Sequence, residues 1–168
     1  MPMTFAGPAL LVADIAASRA FYQDVLGQAV LADHGPHVAF ASGFSIWQAD
    51  HATEVIYEGA RTPPTTLGQG NLEMYFESET LDQDFARVNA RWQKIIHPVQ
   101  AAPWGQRGFR LHDPDGHVVE VAEPLPVLVR RLLAEGLTID EISARTFIPV
   151  EAVAAMAEPD KTARDKTA

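Results

Sequence analysis

The stretch 104-WGQRGFRLHDPDGHVVEVAEP-124 holds two strand-like runs on either side of a DPDG turn, and the second run carries one acid, Glu120, among valines. Alternating apolar and β-branched residues favour half-buried strands, and Asp-Pro-Asp-Gly supplies the turn between them. An unpaired charge in an apolar setting is costly, so Glu120 is expected to reach solvent, pair with a cation, bind a metal or touch a ligand. With Pro114-Asp115-Gly116 as a three-residue hairpin loop, Asp113 faces His117, His112 faces Val118 and Arg110 faces Glu120. Opposed residues on neighbouring strands share a face. Arg110 and Glu120 are therefore expected to pair on one side while Val119 and Val121 pack under a helix on the other.

Working outward, the chain shows the same order of elements twice. Pro8 to Ala13 reads as a strand, and Asp14 opens a helix with Ala17, Ala20, Phe21, Val25 and Leu26 on one face and Gly27 at its end. Strands are expected at Ala29 to Leu31, His37 to Ala41 and Phe44 to Gln48, with Ser42-Gly43 as a turn. The segment from Gly59 to Gly70, with Pro63-Pro64, reads as a loop. The pattern then restarts with a strand at Asn71 to Phe76, a helix at Leu81 to Trp92, and strands at Ile95 to Val99, Gly108 to His112 and Val118 to Ala122. Placing Gly7 over Asn71 brings Asp14 over Ser78 and Phe21 over Phe85. Placing 43-GFSIWQAD-50 over 116-GHVVEVAE-123 brings Trp47 over Glu120.

Composition narrows the classes. The chain has 168 residues, 47% of them hydrophobic, enough to fill a core of its own. It contains no cysteine, which excludes disulfides and thiolate chemistry and leaves His, Asp and Glu as the strong metal ligands. A formal charge of −9 disfavours nucleic acid and favours a neutral or cationic small molecule. No apolar run is long enough to span a bilayer, and MPMTFAGPALLVAD lacks the pattern of a secretory signal. The expectation is a cytoplasmic protein without membrane or nucleic-acid partners, forming a homodimer.

The segments 10-LLVADIAASRAFYQDVLG-27, 70-GNLEMYFES-78 and 113-DPDGHVVEV-121, in this order and spacing, resemble the vicinal oxygen chelate superfamily. That superfamily includes lactoylglutathione lyase, bleomycin- and fosfomycin-resistance proteins and extradiol dioxygenases. The resemblance covers roughly residues 5 to 124. It implies an α+β fold in which two βαβββ modules, about 5–58 and 70–124, form an open mixed barrel within a domain at 1–124, with the site on the concave side.

In metal-using members the ligands come from matched places on the first and last strand of each module. Carried over, those places are Gly7, Trp47, Asn71 and Glu120. Glycine offers no side chain, indole donates rather than accepts, and an amide oxygen is a weak ligand, so only Glu120 suits a divalent cation. No metal and no other cofactor is expected. The six histidines include His34, His37, His51, His112 and His117, all near loops or strand ends, where surface or hydrogen-bonding roles are commoner.

Strand alternation sends Glu73 and Tyr75 to the same concave side as Arg110 and Glu120. The expected pocket contains Trp47, Asn71, Glu73, Tyr75, Arg110, His112 and Glu120. The resemblance implies that Trp104 sits on a loop over the mouth with Gly105 as its pivot, and a tight turn with an exposed aromatic explains Trp104-Gly105 as well. Aromatics beside carboxylates suit a planar or cationic guest. Glu73 and Glu120 are the candidate proton-transfer groups, Arg110 the electrophile stabiliser, and Trp47, Asn71, Tyr75, Trp104, Arg110 and His112 the candidate ligand contacts. A structural ion pair explains Arg110 and Glu120 equally well, and core filler is the alternative reading of Trp47.

Beyond the repeat, residues 125–157 read as a helical extension. Val127 to Glu135 forms one helix, Thr138-Ile139-Asp140-Glu141 caps a second through Arg145, and Pro149 starts a third through Met156. The pattern resembles a helix-turn-helix, but 149-PVEAVAAMAEP-159 has no Lys or Arg, so DNA binding is not expected. Residues 158–168 are polar and are expected to be a disordered tail. Two function classes stay open: a metal-free binding protein for a small aromatic or cationic compound, and an enzyme of the same superfamily. The enzyme would be a lyase, isomerase or dioxygenase, metal-dependent or using a Glu general base.

Overall fold

The computed structural model describes residues 2–158. Its elements run β1 (Ala9–Val12), α1 (Ile15–Ala20), β2 (Val30–Asp33), β3 (His37–Phe40), β4 (Ser45–Gln48), α2 (Ala49–Tyr57), β5 (Glu73–Glu77), α3 (Leu81–Asn89), β6 (Ile95–Ala101), β7 (Arg107–His112) and β8 (Val118–Ala122). Three further helices follow, α4 (Leu125–Ala134), α5 (Ile139–Thr146) and α6 (Val150–Ala157). The strands form two four-stranded sheets with the same internal order, β1-β4-β3-β2 and β5-β8-β7-β6. The α+β class and the doubled βαβββ order expected from the repeat are thus present, one module per sheet. In the first sheet β1 runs parallel to β4, while β3 is antiparallel to both β4 and β2.

The described residues group into two compact units. One comprises the segments through Met74, Ala86–Ile96 and Arg110–Glu120, and the other Tyr75–Phe85, His97–Phe109 and the segment from Val121. The core of the first unit contains Leu10, Val12, Phe21, Tyr22, Val38, Phe40 and Ile46. Asp14 caps α1 by accepting from the backbone N–H groups of Ala16 and Ala17, and Gln48 ties this turn to β4 by accepting from Ile15 N and donating to Ala13 O. Past Ala20 the helix widens into a π-helical turn over Phe21–Val25, closed by the bond from Leu26 N to Phe21 O. This wider turn buries the adjacent Phe21 and Tyr22 together, where the sequence reading placed only Phe21 inward.

Helix α2 is a correction, since no helix was expected between β4 and the 59–70 loop. Its buried residues are Ala49, Ala52 and Thr53, side chains too small to mark a core-facing stripe by themselves. In the second unit, Glu123 is 3% exposed and its carboxylate is gripped by Arg131 of α4 at 2.5 Å. Arg131 also donates to Gly105 O at 2.7 Å, so the helical extension is fastened to the turn that carries Trp104. Leu128, Val129, Leu132, Ile142 and Val153 form a core among the three helices. The capping box at Thr138 and Glu141 is formed, and Phe147 takes the left-handed turn conformation with φ 60°. The tail expected at 158–168 lies, after Glu158, outside the described residues. No helix among the described residues is long and apolar enough to cross a membrane.

Candidate functional site

The DPDG hairpin closes in the register expected for it, with Asp113 N donating to His117 O at 3.0 Å. That register puts Arg110 beside Glu120. Arg110 donates from Nη2 to Glu120 Oε2 and from Nε to Glu73 Oε1, both at 2.7 Å. The three side chains form one group of two carboxylates and one guanidinium. Their side chains are 11% exposed for Glu120, 28% for Arg110 and 41% for Glu73. Burial raises the pKa of Glu120 above the ordinary carboxylate value and Arg110 opposes this, but the neighbouring Glu73 carboxylate adds to the rise. For Arg110 burial works against the charge, and its bonds to the two glutamates outweigh burial and raise its pKa.

This group borders a cleft of about 350 Å³ lined by Gly70, Asn71, Leu72, Glu73 and Val118. A neighbouring cavity of about 460 Å³, sharing Asn71 and Leu72, is lined by Ala9, Leu11, Thr66, Gln69 and His117 among others. Gly68, in the loop that carries Thr66 to Asn71, packs against the DPDG turn. A Cβ at Gly68 would collide with the backbone of Gly116 and His117, and its φ of +61° suits glycine.

The remaining candidates are distributed differently. Asn71 lines the same cleft as Glu73. His112 lies two positions along β7 from Arg110, and its Nδ1 is 3.0 Å from Gly116 O. Trp47 sits on the face of the first sheet opposite the buried Ile46, against the edge of the His37 ring, and donates its indole N–H to His51 Nδ1 at 2.8 Å. Tyr75 and Trp104 belong to the other compact unit. There the buried amide of Gln106 joins them, accepting from Trp104 Nε1 at 3.1 Å and donating to Tyr75 O–H at 2.9 Å. The sequence reading missed Gln106, His51 and Tyr22.

The carried-over ligand places do not fit a divalent ion. Any side chain at Gly7 would run into the carbonyl of Gly43, at a φ of +129°. The Trp47 nitrogen is a donor engaged by His51, and Glu120 is held by Arg110. Among the described residues, no three His, Asp or Glu side chains gather as a metal cluster.

A second carboxylate lies beneath the turn. Asp113 is fully buried and its two oxygens accept four hydrogen bonds, from Tyr22 O–H, from His117 Nδ1 and from the backbone N–H groups of Asp115 and His117. Burial pushes its pKa up, but the donors, His117 first, more than offset this and hold it below the ordinary value.

The glyoxalase-like domain family profile matches residues 5–126. A protein of unknown function from Agrobacterium tumefaciens str. C58 is 37% identical with a TM-score of 0.69, over 74% of this chain and 96% of that one. A glyoxalase-related enzyme from Fulvimarina pelagi is similar in fold at 21% identity and a TM-score of 0.61, over 74% and 90% of the two chains. A lactoylglutathione lyase from Agrobacterium tumefaciens is similar at 24% identity and a TM-score of 0.58, over 74% and 96%. No curated protein matches the sequence. With the doubled βαβββ order and the family match over residues 5–126, the chain belongs to the glyoxalase-like domain family, within the vicinal oxygen chelate superfamily.

Proposed function

We propose that the protein binds a small organic cation, with an apolar or aromatic body, in the cleft beside Glu73, without the help of a metal. The observation that carries this reading is the charge of the Glu73, Arg110 and Glu120 group. Two carboxylates share one guanidinium, and one negative charge is left over at the edge of a cleft lined by Asn71, Leu72 and Val118. A cation at Glu73 matches that charge, while Leu72 and Val118 offer apolar surface to the rest of the guest.

The test compares benzylammonium with benzyl alcohol, which are alike in size and differ in charge. A unit charge near the half-exposed Glu73 carboxylate is worth about 1 to 4 kcal/mol at 4 Å, so a preference of about tenfold for the cation is expected. Glu73→Gln should erase that preference. Equal binding of the two compounds to the wild-type protein would reject the reading.

The raised pKa of Glu120 favours a second reading, in which this carboxyl transfers a proton and Arg110 stabilises the developing negative charge on a substrate. That reading requires turnover that is lost in Glu120→Gln at every pH.

A further inference from the structure

The Asp113 and His117 pair plays no part in the charged group just described, yet its geometry is that of a poised proton acceptor. Asp113 accepts from four donors, two of them through Oδ2, namely Tyr22 O–H at 3.1 Å and His117 Nδ1 at 2.9 Å. Its Oδ1 accepts from the backbone N–H groups of Asp115 at 3.0 Å and His117 at 2.8 Å. A carboxylate surrounded in this way is ionised, so the hydrogen in the bond to His117 is carried by Nδ1. In the neutral ring, Nε2 then holds the lone pair.

The other face of the ring is what makes the arrangement unusual for a turn. His117 is 7% exposed, and it lines the cavity of about 460 Å³. No described residue bonds to Nε2, and among the described residues no buried side-chain nitrogen or oxygen is left without a partner, so Nε2 is not sealed among them. The cavity is the space that His117 borders, and Nε2 is assigned to its wall. Its lining includes the apolar Leu11 and Leu72 and the polar Thr66, Gln69 and Asn71. The floor is fixed, because Gly68 packs directly on the backbone of Gly116 and His117.

We infer that this cavity is a binding site for a small, flat molecule with one acidic O–H, of the phenol or enol class, and that His117 Nε2 accepts its hydrogen bond. If the proton crosses, it moves from the ligand oxygen to Nε2, the electron pair stays on that oxygen, and the imidazolium charge is balanced by Asp113. The site goes beyond the reading of Glu73, Arg110 and Glu120 and uses none of those side chains, so the two stand or fall separately.

The probe is 4-nitrophenol, added to the full chain while the His117 ring nitrogens are followed by NMR. Before addition, the neutral ring should carry its hydrogen on Nδ1. Saturable binding that shifts the Nε2 resonance is expected. His117→Asn, which keeps an N–H for Asp113 and deletes the Nε2 acceptor, should weaken binding by about tenfold or more, the scale of one strong hydrogen bond. In the wild-type protein, diethyl pyrocarbonate should acylate His117 in spite of its burial, and 4-nitrophenol should protect it. The inference is overturned by a neutral ring with its hydrogen on Nε2, by no saturable binding, by equal binding in His117→Asn, or by a His117 that does not react. The acylation arm needs no variant and decides the matter even if His117→Asn fails to fold.

Discussion

Replacing Arg110 by alanine removes the guanidinium that holds Glu73 and Glu120 together, and the consequences of the two broken bonds differ. At 2.7 Å, a unit pair is worth about 1.5 kcal/mol in bulk water and about 6 kcal/mol at an effective dielectric constant near 20. The Glu73 bond belongs near the lower figure, because that side chain is 41% exposed and screened, and such pairs contribute about 0 to 1 kcal/mol net. The Glu120 bond lies between the two figures, since its carboxylate is only 11% exposed and loses its counter-charge outright. Breaking a fully buried pair costs about 3 to 5 kcal/mol, and the partial exposure of Arg110 lowers this to about 2 to 3 kcal/mol. Arg110→Ala should therefore lower the urea midpoint at neutral pH by about 1 M, taking a slope of about 2 kcal/mol per M.

Glu73→Gln keeps an acceptor for Arg110 and should cost no more than about 1 kcal/mol. The sign of the pH dependence follows from Glu120. Its folded pKa is already raised, and loss of Arg110 raises it further, so the variant regains stability as the pH falls toward 4 and the carboxyl takes up a proton. Denaturant melts of both variants at neutral and acidic pH make the comparison. If Glu73→Gln destabilises as much as Arg110→Ala, or if the Arg110→Ala deficit persists at low pH, Glu73 is a structural partner of the arginine and the charge argument for the cleft fails.

Two further outcomes follow from backbone geometry and from Asp113. Gly7→Ala forces a Cβ onto the carbonyl of Gly43 at a φ of +129°, and thermal melts should show a loss of about 2 kcal/mol or more; a neutral substitution would show that this place could accept a side chain after all. Tyr22→Phe takes one donor from the buried Asp113, which should cost about 1.5 to 3 kcal/mol at neutral pH and make the protein more acid-sensitive. Asp113 has a depressed folded pKa, so its contribution is full above the unfolded value near 4 and is lost as the pH falls through the folded value. Loss of the Tyr22 donor brings that window to higher pH, and an unchanged acid midpoint would contradict it.

The hairpin register was legible because it is local. DPDG fixes the turn, and a three-residue loop then dictates that Arg110 opposes Glu120. The doubled order of elements was legible through periodicity and through Gly43 and Gly116 at matching places. Contacts that depend on long loop closure left no such trace. Tyr22 and Asp113 are 91 residues apart, and nothing near Tyr22 announces an acid beneath the turn. The missed helix α2 had a further effect, since it places His51 one helical turn beyond Trp47 and hands the indole N–H a partner. Read as part of a loop, His51 could not be assigned to that role. Gln106 was missed because a lone amide before a strand is indistinguishable from a surface residue until Trp104, Tyr75 and Glu123 O converge on it.

The polar character of the two adjoining cavities points one way. At the Glu120 place, a guanidinium already supplies the positive charge through its N–H bond to Oε2, and a divalent ion there would compete with Arg110 for the carboxylate. What the cleft then presents to a guest is the exposed side of Glu73, which accepts. Across Asn71 and Leu72, the neighbouring cavity presents His117 Nε2, which in the neutral ring also accepts. A phosphate or carboxylate guest would set its oxygens against the Glu73 carboxylate in one cavity and an imidazole lone pair in the other, although Asn71 offers an amide N–H to both. On the two proposals made above, the guests are molecules that bring their own N–H or O–H groups on an apolar frame. The net charge of −9 adds a long-range contribution of the same sign. A screen of aromatic amines and phenols therefore probes the molecule on the terms its own side chains set, and a guest rich in acceptors and poor in donors should bind to neither cavity.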